Sequence, residues 1–202
     1  MIKNAILFYY QNDTKLGNYF YKCADYAITL LNQKDEIVQN HVTNNNCNSV
    51  YIDEVELPKH TEKSIFLIYS HGNMNSFSKS DGVPFIKDTI SSDVCLNEGL
   101  VYSNACSVGM KFGKELPSKN ASFFGYINDT IADLRYERNF IECDNWGLHR
   151  LVQGDTLLES KSKAIEKFNE NIDKVDFFAA SFLREARDSI VIYGNDLNKR
   201  FF

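Results

Sequence analysis

The chain has 202 residues, a formal net charge of −5, and 44% hydrophobic against 24% charged residues. That length suits one domain with a sizeable core, and the composition is that of a soluble globular protein, which excludes collagen-like, low-complexity and disordered classes. No run of Lys and Arg is interleaved with aromatics, and no stretch approaches the roughly 18 apolar residues of a membrane span, so neither nucleic acid nor a membrane is expected as a partner. The five cysteines, Cys23, Cys47, Cys95, Cys106 and Cys143, include no close pair suited to a zinc knuckle or a redox dithiol. Reduced thiols in a cytoplasmic compartment, with no metal and no cofactor, are the simplest expectation.

In chain order, Ile2 to Tyr10 is short, apolar and aromatic and lacks a small-residue cleavage site, which predicts a buried strand. The polar segment Asn12 to Gly17 predicts a turn. Phe20, Cys23, Ala24, Ala27, Leu30 and Leu31 then fall on one helix face. Asn32 to Lys63 is rich in Asn and mixed charge, which predicts loops with one extended piece near Val50 to Val55. Ile65 to Tyr69 and Leu100 to Tyr102 are continuous apolar runs of the kind found in buried parallel strands, and Asp81-Gly82 between them suits the turn of a small hairpin. A short helix is predicted from Val108 to Leu116, ended with the help of Pro117, and a strand from Ala121 to Ile127. Asp129 to Gly154 reads as irregular. Thr156 with Glu159 forms a capping box for a helix with the apolar stripe Leu158, Ile165, Phe168 and Ile172. Val175 to Arg187 predicts another helix, and Ile190 to Tyr193 a closing strand or packed tail. The sum is an α/β fold with a mostly parallel sheet, read as a single domain over 1–202, with its motifs within about 1–129 and a helical part over about 155–202.

Two residues carry chemistry. His71 and Cys106 each directly follow an apolar strand, and reactive groups in α/β sheets gather where the carboxyl ends of neighbouring strands converge. Cys106 also stands at the entry to the predicted short helix, where free N–H groups favour a thiolate. An imidazole titrating near neutrality can protonate a leaving amine and then activate water. Gly72 leaves room for its N–H to approach an oxyanion, and the Cys106 N–H is available at the turn. Cys23 reads as core, Cys143 is disfavoured by its acidic neighbours Glu142 and Asp144, and Cys95 lies in a loop with no activating setting. His41, His60 and His149 read as surface histidines. Tyr102 and Tyr126 suit either strand packing or substrate contact.

The blocks Ile65 to Gly72 (IFLIYSHG) and Gly99 to Gly109 (GLVYSNACSVG) resemble the two signature blocks of the caspase-like, clan CD cysteine peptidases, nearest the bacterial CHAT proteins. The resemblance implies a caspase-like three-layer sandwich, with a mostly parallel central sheet and helices on both faces. It implies His71 as acid/base, Cys106 as nucleophile, and Gly72 with Cys106 as the oxyanion hole. Asn104 falls where such enzymes place a residue lining the pocket for the side chain before the cut. It is a neutral amide where members that cut after basic residues carry Asp, and Asp129 is the candidate for restoring an acidic pocket. The implied function is a regulated endopeptidase acting on a protein or peptide substrate, with an activating protein partner, in a defence or cell-death role. The alternatives are a thiol-dependent acyl transferase or hydrolase on a small substrate, and a catalytically silent interaction module.

Overall fold

The computed structural model describes residues 1–87 and 96–202. Six strands form the main sheet among these residues: β1 (Asn4–Tyr9), β2 (Val38–Thr43), β3 (Ser64–Tyr69), β7 (Leu100–Ser103), β8 (Ser122–Tyr126) and β9 (Ile190–Tyr193), in the order β2-β1-β3-β7-β8-β9. All pairings are parallel except β8 with β9, which closes one edge antiparallel. Successive side chains on a strand point to opposite faces. Leu7, Tyr9, Leu67, Tyr69 and Tyr102 therefore enter one core, while Ile6, Phe8, Phe66, Ile68 and Val101 enter a second on the other side. Burial on both faces is why these strands read as unbroken apolar runs.

The first core is covered by α1 (Gly17–Leu31), α2 (Glu137–Val152), α3 (Leu157–Ile172) and α4 (Phe177–Ser189). The second is covered by shorter pieces carrying Cys47, Ile52, Leu57, Phe77, Phe85 and Phe112. A small antiparallel sheet, β4 (His71–Asn73), β5 (Ser76–Ser78) and β6 (Pro84–Lys87), follows directly from β3. Its β5–β6 turn holds Gly82 at a φ of +77°, and the Asp81 carboxylate accepts the Val83 N–H at 3.0 Å, so the Asp-Gly pair does form the expected hairpin turn. The capping box at Thr156 and Glu159 opens α3 as expected.

Several expectations are corrected. Residues 137–152 are a 16-residue helix, not an irregular segment. Its inward face mixes Phe140, Leu148 and Leu151 with Asn145 and Gly147, and this breaks the apolar period that marks a helix in sequence. The Asn-rich stretch contains the edge strand β2, while residues 50–55 are helical rather than extended. There the Asn48 side chain accepts the Tyr51 N–H at 2.8 Å, starting a turn that continues as a π-helical segment and buries Ile52 and Leu57. Val108 to Leu116 is not one helix but a three-residue 3-10 turn and the four-residue helix Phe112–Glu115, and Pro117 opens the next turn rather than ending a helix. On α3, Leu158 is exposed, and the buried stripe is Leu157, Ala164, Phe168 and Ile172. His60 is buried, because its Nε2 pairs with Glu56 Oε1 at 2.9 Å. Cys95 lies outside the described residues. No helix among the described residues is long and apolar enough to cross a membrane.

Candidate active site

Three adjacent strands deliver the site. In the sheet β1, β3 and β7 are neighbours, and from their carboxyl ends the chain leads to Asp13, His71 and Cys106. The exit from β7 is set by Ser103, whose hydroxyl donates to the Ile68 carbonyl at 2.7 Å and accepts the Ala105 N–H at 2.9 Å. One side chain thus ties the end of β7 to β3 and bends the chain into the turn that presents Cys106. Ser107 completes that turn in the left-handed region (φ 58°). Its N–H donates to the Asn128 carbonyl at 3.1 Å and its hydroxyl to Asp129 Oδ1 at 2.6 Å. Gly72 is a glycine for want of space: a Cβ there would stand 2.9 Å from the Cys106 carbonyl oxygen and 2.8 Å from Val108 Cγ1.

His71 Nε2 lies 2.8 Å from Asp13 Oδ2, and its ring packs edge-on to Phe20 with centroids 5.3 Å apart. Asp13 Oδ1 accepts the backbone N–H groups of Lys15 and Leu16 at 2.8 and 2.6 Å. Burial pulls the Asp13 carboxyl upward, but the Leu16 N–H, the His71 ring and the Lys15 N–H outweigh it and hold the group below its ordinary value. A carboxylate only accepts, so the neutral imidazole carries its proton on Nε2 and leaves the Nδ1 lone pair free for chemistry. Sequence reasoning missed Asp13. The available signal was an Asp just beyond the first strand in a turn-forming segment, on the same sheet edge as the other two.

Cys106 is part-exposed, whereas Cys23, Cys47 and Cys143 are buried. Burial pushes the Cys47 thiol up to about 12, and burial with Asp144 and Glu142 raises that of Cys143. The Cys106 sulfur faces Thr130: the Thr130 N–H donates to Sγ at 3.3 Å, while the thiol can donate to the Thr130 carbonyl at 3.5 Å. The turn after Cys106 is only three residues of 3-10 helix, too short for the helix N-terminus expected there, and the Thr130 N–H is the backbone donor that meets the sulfur.

His71, Cys106, Asn104, Thr130 and Asp144 line one pocket of about 40 Å³. Asn104 Nδ2 donates to Asp144 Oδ2 at 3.1 Å, and Asn104 Oδ1 has no partner. Asp144 also accepts the hydroxyls of Tyr19 at 2.8 Å and Tyr126 at 2.7 Å. Tyr102 donates to the Asp144 backbone carbonyl at 2.7 Å, so both strand tyrosines are buried supports beneath the pocket and do not line it. Asp129 is held by Ser107 and is not among the pocket residues. Among the described residues, no group of three or more His, Cys, Asp or Glu is placed to hold a metal ion.

No protein-family model matches the chain, and no curated protein matches it. Among solved structures, the "Arg specific cysteine proteinase gingipain R" superposes over 98% of this chain with a TM-score of 0.64 at 11% identity. The chain has the caspase-like cysteine-protease fold. It spans about half the length of the gingipain chain, 47% of which is matched. A secreted cysteine protease from Bacteroides thetaiotaomicron matches 64% of the chain, and 53% of its own, at 7% identity and a TM-score of 0.46. A structure of such a protease with an irreversible peptide inhibitor matches 61% of the chain, and 48% of its own, at 10% identity and 0.44. In this caspase-like fold, His71 and Cys106 stand at the carboxyl edge of the central sheet.

Proposed function

We propose that the chain is a cysteine endopeptidase that cleaves a protein or peptide substrate through an acyl-enzyme, with Cys106 as nucleophile and His71 as general acid/base. The supporting observation is that a part-exposed cysteine shares a pocket with a histidine whose far nitrogen is anchored by a buried carboxylate. The Cys106 thiolate attacks the scissile carbonyl carbon, and the oxygen gathers negative charge toward the N–H groups of Gly72 and Cys106. The His71 imidazolium gives its Nδ1 proton to the leaving amine, and the neutral ring then takes a proton from water as the thioester is hydrolysed. Asp13 keeps the ring oriented and stabilises its charged form throughout.

The reading extends to a cytoplasmic effector in a defence or cell-death pathway, switched on by a protein partner. Its motivation is the contact of Thr130 with the Cys106 sulfur, which a partner that repositions this segment would alter. The small pocket supports a second reading, a thiol hydrolase or acyl transferase acting on a small amide or thioester. The test is incubation of the pure protein, beside Cys106→Ala, with a peptide library, products being identified by mass spectrometry. Cleavage by the wild type alone supports the peptidase and removes the need for an activator. Turnover of small thioesters without peptide cleavage favours the second reading. No turnover together with a Cys106 inert to iodoacetamide overturns the catalytic assignment.

A further inference from the structure

The turn that carries Cys106 is laid against the chain leaving β8, and the contacts between them run in antiparallel order. Gly109 approaches the Tyr126 carbonyl so closely that a Cβ there would stand 2.7 Å from its oxygen. The Ser107 N–H donates to the Asn128 carbonyl at 3.1 Å, and the Thr130 N–H donates to the Cys106 sulfur at 3.3 Å. Residues 126–130 are therefore the backing on which the nucleophile turn rests.

That backing is anchored at its start, where the Ile127 N–H donates to the Ser189 carbonyl at 3.0 Å. Asn128 and Asp129 beyond it are exposed, so packing contributes little to holding them. Ser107 ties both down: Asn128 accepts its N–H, and Asp129 Oδ1 accepts its hydroxyl at 2.6 Å. Ser107 itself stands in the left-handed region, with φ 58° and ψ −1°, a conformation that costs a residue with a Cβ. Glycine would suit the turn alone but has no hydroxyl for Asp129.

We infer that Asp129 is a positioning residue for the nucleophile: through Ser107 it clips the segment leaving β8 onto the Cys106 turn and so holds the Thr130 N–H on the sulfur. It acts as a hydrogen-bond acceptor for the turn, not as a charge for the substrate. This rests on the reading of Cys106 as nucleophile, because an attacking thiolate needs a fixed direction and a donor that steadies its charge.

The test compares Asp129→Ala, Asp129→Asn, Ser107→Gly and the double variant Asp129→Ala with Ser107→Gly against the wild type. The readouts are the rate of Cys106 alkylation by iodoacetamide at fixed pH, the melting temperature, and kcat and KM on a cleaved peptide. Asp129→Ala and Ser107→Gly remove opposite ends of one bond, and each is expected to slow alkylation and kcat about 5- to 10-fold, with KM within about twofold. The double variant is expected to be no slower than either single one. Asp129→Asn keeps an acceptor oxygen and should stay within about twofold of the wild type. Ser107→Gly relieves the left-handed strain and should melt close to the wild type, whereas a merely structural bond would lower the melting temperature and leave alkylation unchanged. Buried Cys23, Cys47 and Cys143 stay unlabelled in a folded variant, so one that unfolds is recognised and the others decide. Wild-type alkylation rates in Asp129→Ala and Ser107→Gly overturn the inference even with peptide cleavage intact, and so do additive losses in the double variant. Slowed alkylation without any peptide cleavage in the wild type would refute the peptidase reading and leave the clip standing.

Discussion

Replacing Asp13 by Asn isolates what the buried carboxylate does for His71. Oδ1 of Asp13 accepts two backbone N–H groups, from Lys15 and Leu16, while Oδ2 meets the ring. The two backbone donors dictate that the new amide oxygen faces them, so the amide nitrogen is turned toward Nε2. The turn survives and the helix start is kept, but Nε2 must now accept a hydrogen bond, which moves the ring proton to Nδ1 and removes the lone pair that the proposed mechanism uses. A charge-assisted bond to the imidazolium is also lost. At about 1.5–3 kcal/mol this alone corresponds to roughly 10- to 150-fold in rate. The wrong tautomer carries the loss further, toward the order of 10⁴-fold that follows when an orienting carboxylate becomes an amide. The assay is kcat/KM on a peptide cut by the wild type, together with the pH profile of Cys106 alkylation by iodoacetamide, which should move to higher pH as the thiolate–imidazolium pair loses its support. A merely structural Asp13 would change the melting temperature and leave that profile in place. An Asn variant within about threefold of wild type in kcat/KM, with an unmoved alkylation profile, would refute the reasoning.

The same carboxylate makes an acid-stability prediction. Its folded pKa is depressed below the ordinary 3.8, so the stability it contributes is present above that value and is lost as pH falls through the folded pKa. Melting curves from pH 5 to pH 2 should show a smaller acid-induced fall in Asp13→Asn than in the wild type. Gly72→Ala should cost about 1–3 kcal/mol by overpacking and depress activity more than stability, because the new Cβ meets the Cys106 carbonyl and Ala105 at 2.9 Å; urea unfolding and peptide turnover on the same samples check both. Tyr69→Phe removes a hydroxyl that donates to Asn145 Oδ1 at 2.6 Å where both residues are buried, leaving that oxygen without its tyrosine donor. A loss of about 1–3 kcal/mol is expected by chemical denaturation, with kcat/KM little altered.

The strands were legible because each face of the sheet is covered, which makes them local apolar runs that need no knowledge of their partners. The helix over 137–152 was not, since its inward positions include Asn145, and its polar character is explained only by distant residues: Tyr69 donates to Asn145, and Tyr19 and Tyr126 to the neighbouring Asp144. The Ser49–Glu56 segment misled for a related reason: its Val-Tyr-Ile composition favours a strand, and the Asn48 cap with burial of Ile52 and Leu57 overrides that propensity.

The sequence by itself determined that one histidine and one cysteine follow buried strands, and hence which pair to examine, because strand ends and the small residues around Cys106 are local features. Only the tertiary structure decided what surrounds them. Asp13 reaches His71 across 58 residues, and Asp144 reaches Asn104 across 40. Contacts of that separation depend on strand order and helix packing, which no local pattern encodes, so the orienting carboxylate and the acidic pocket floor emerge only when β1, β3, β7 and α2 are brought together.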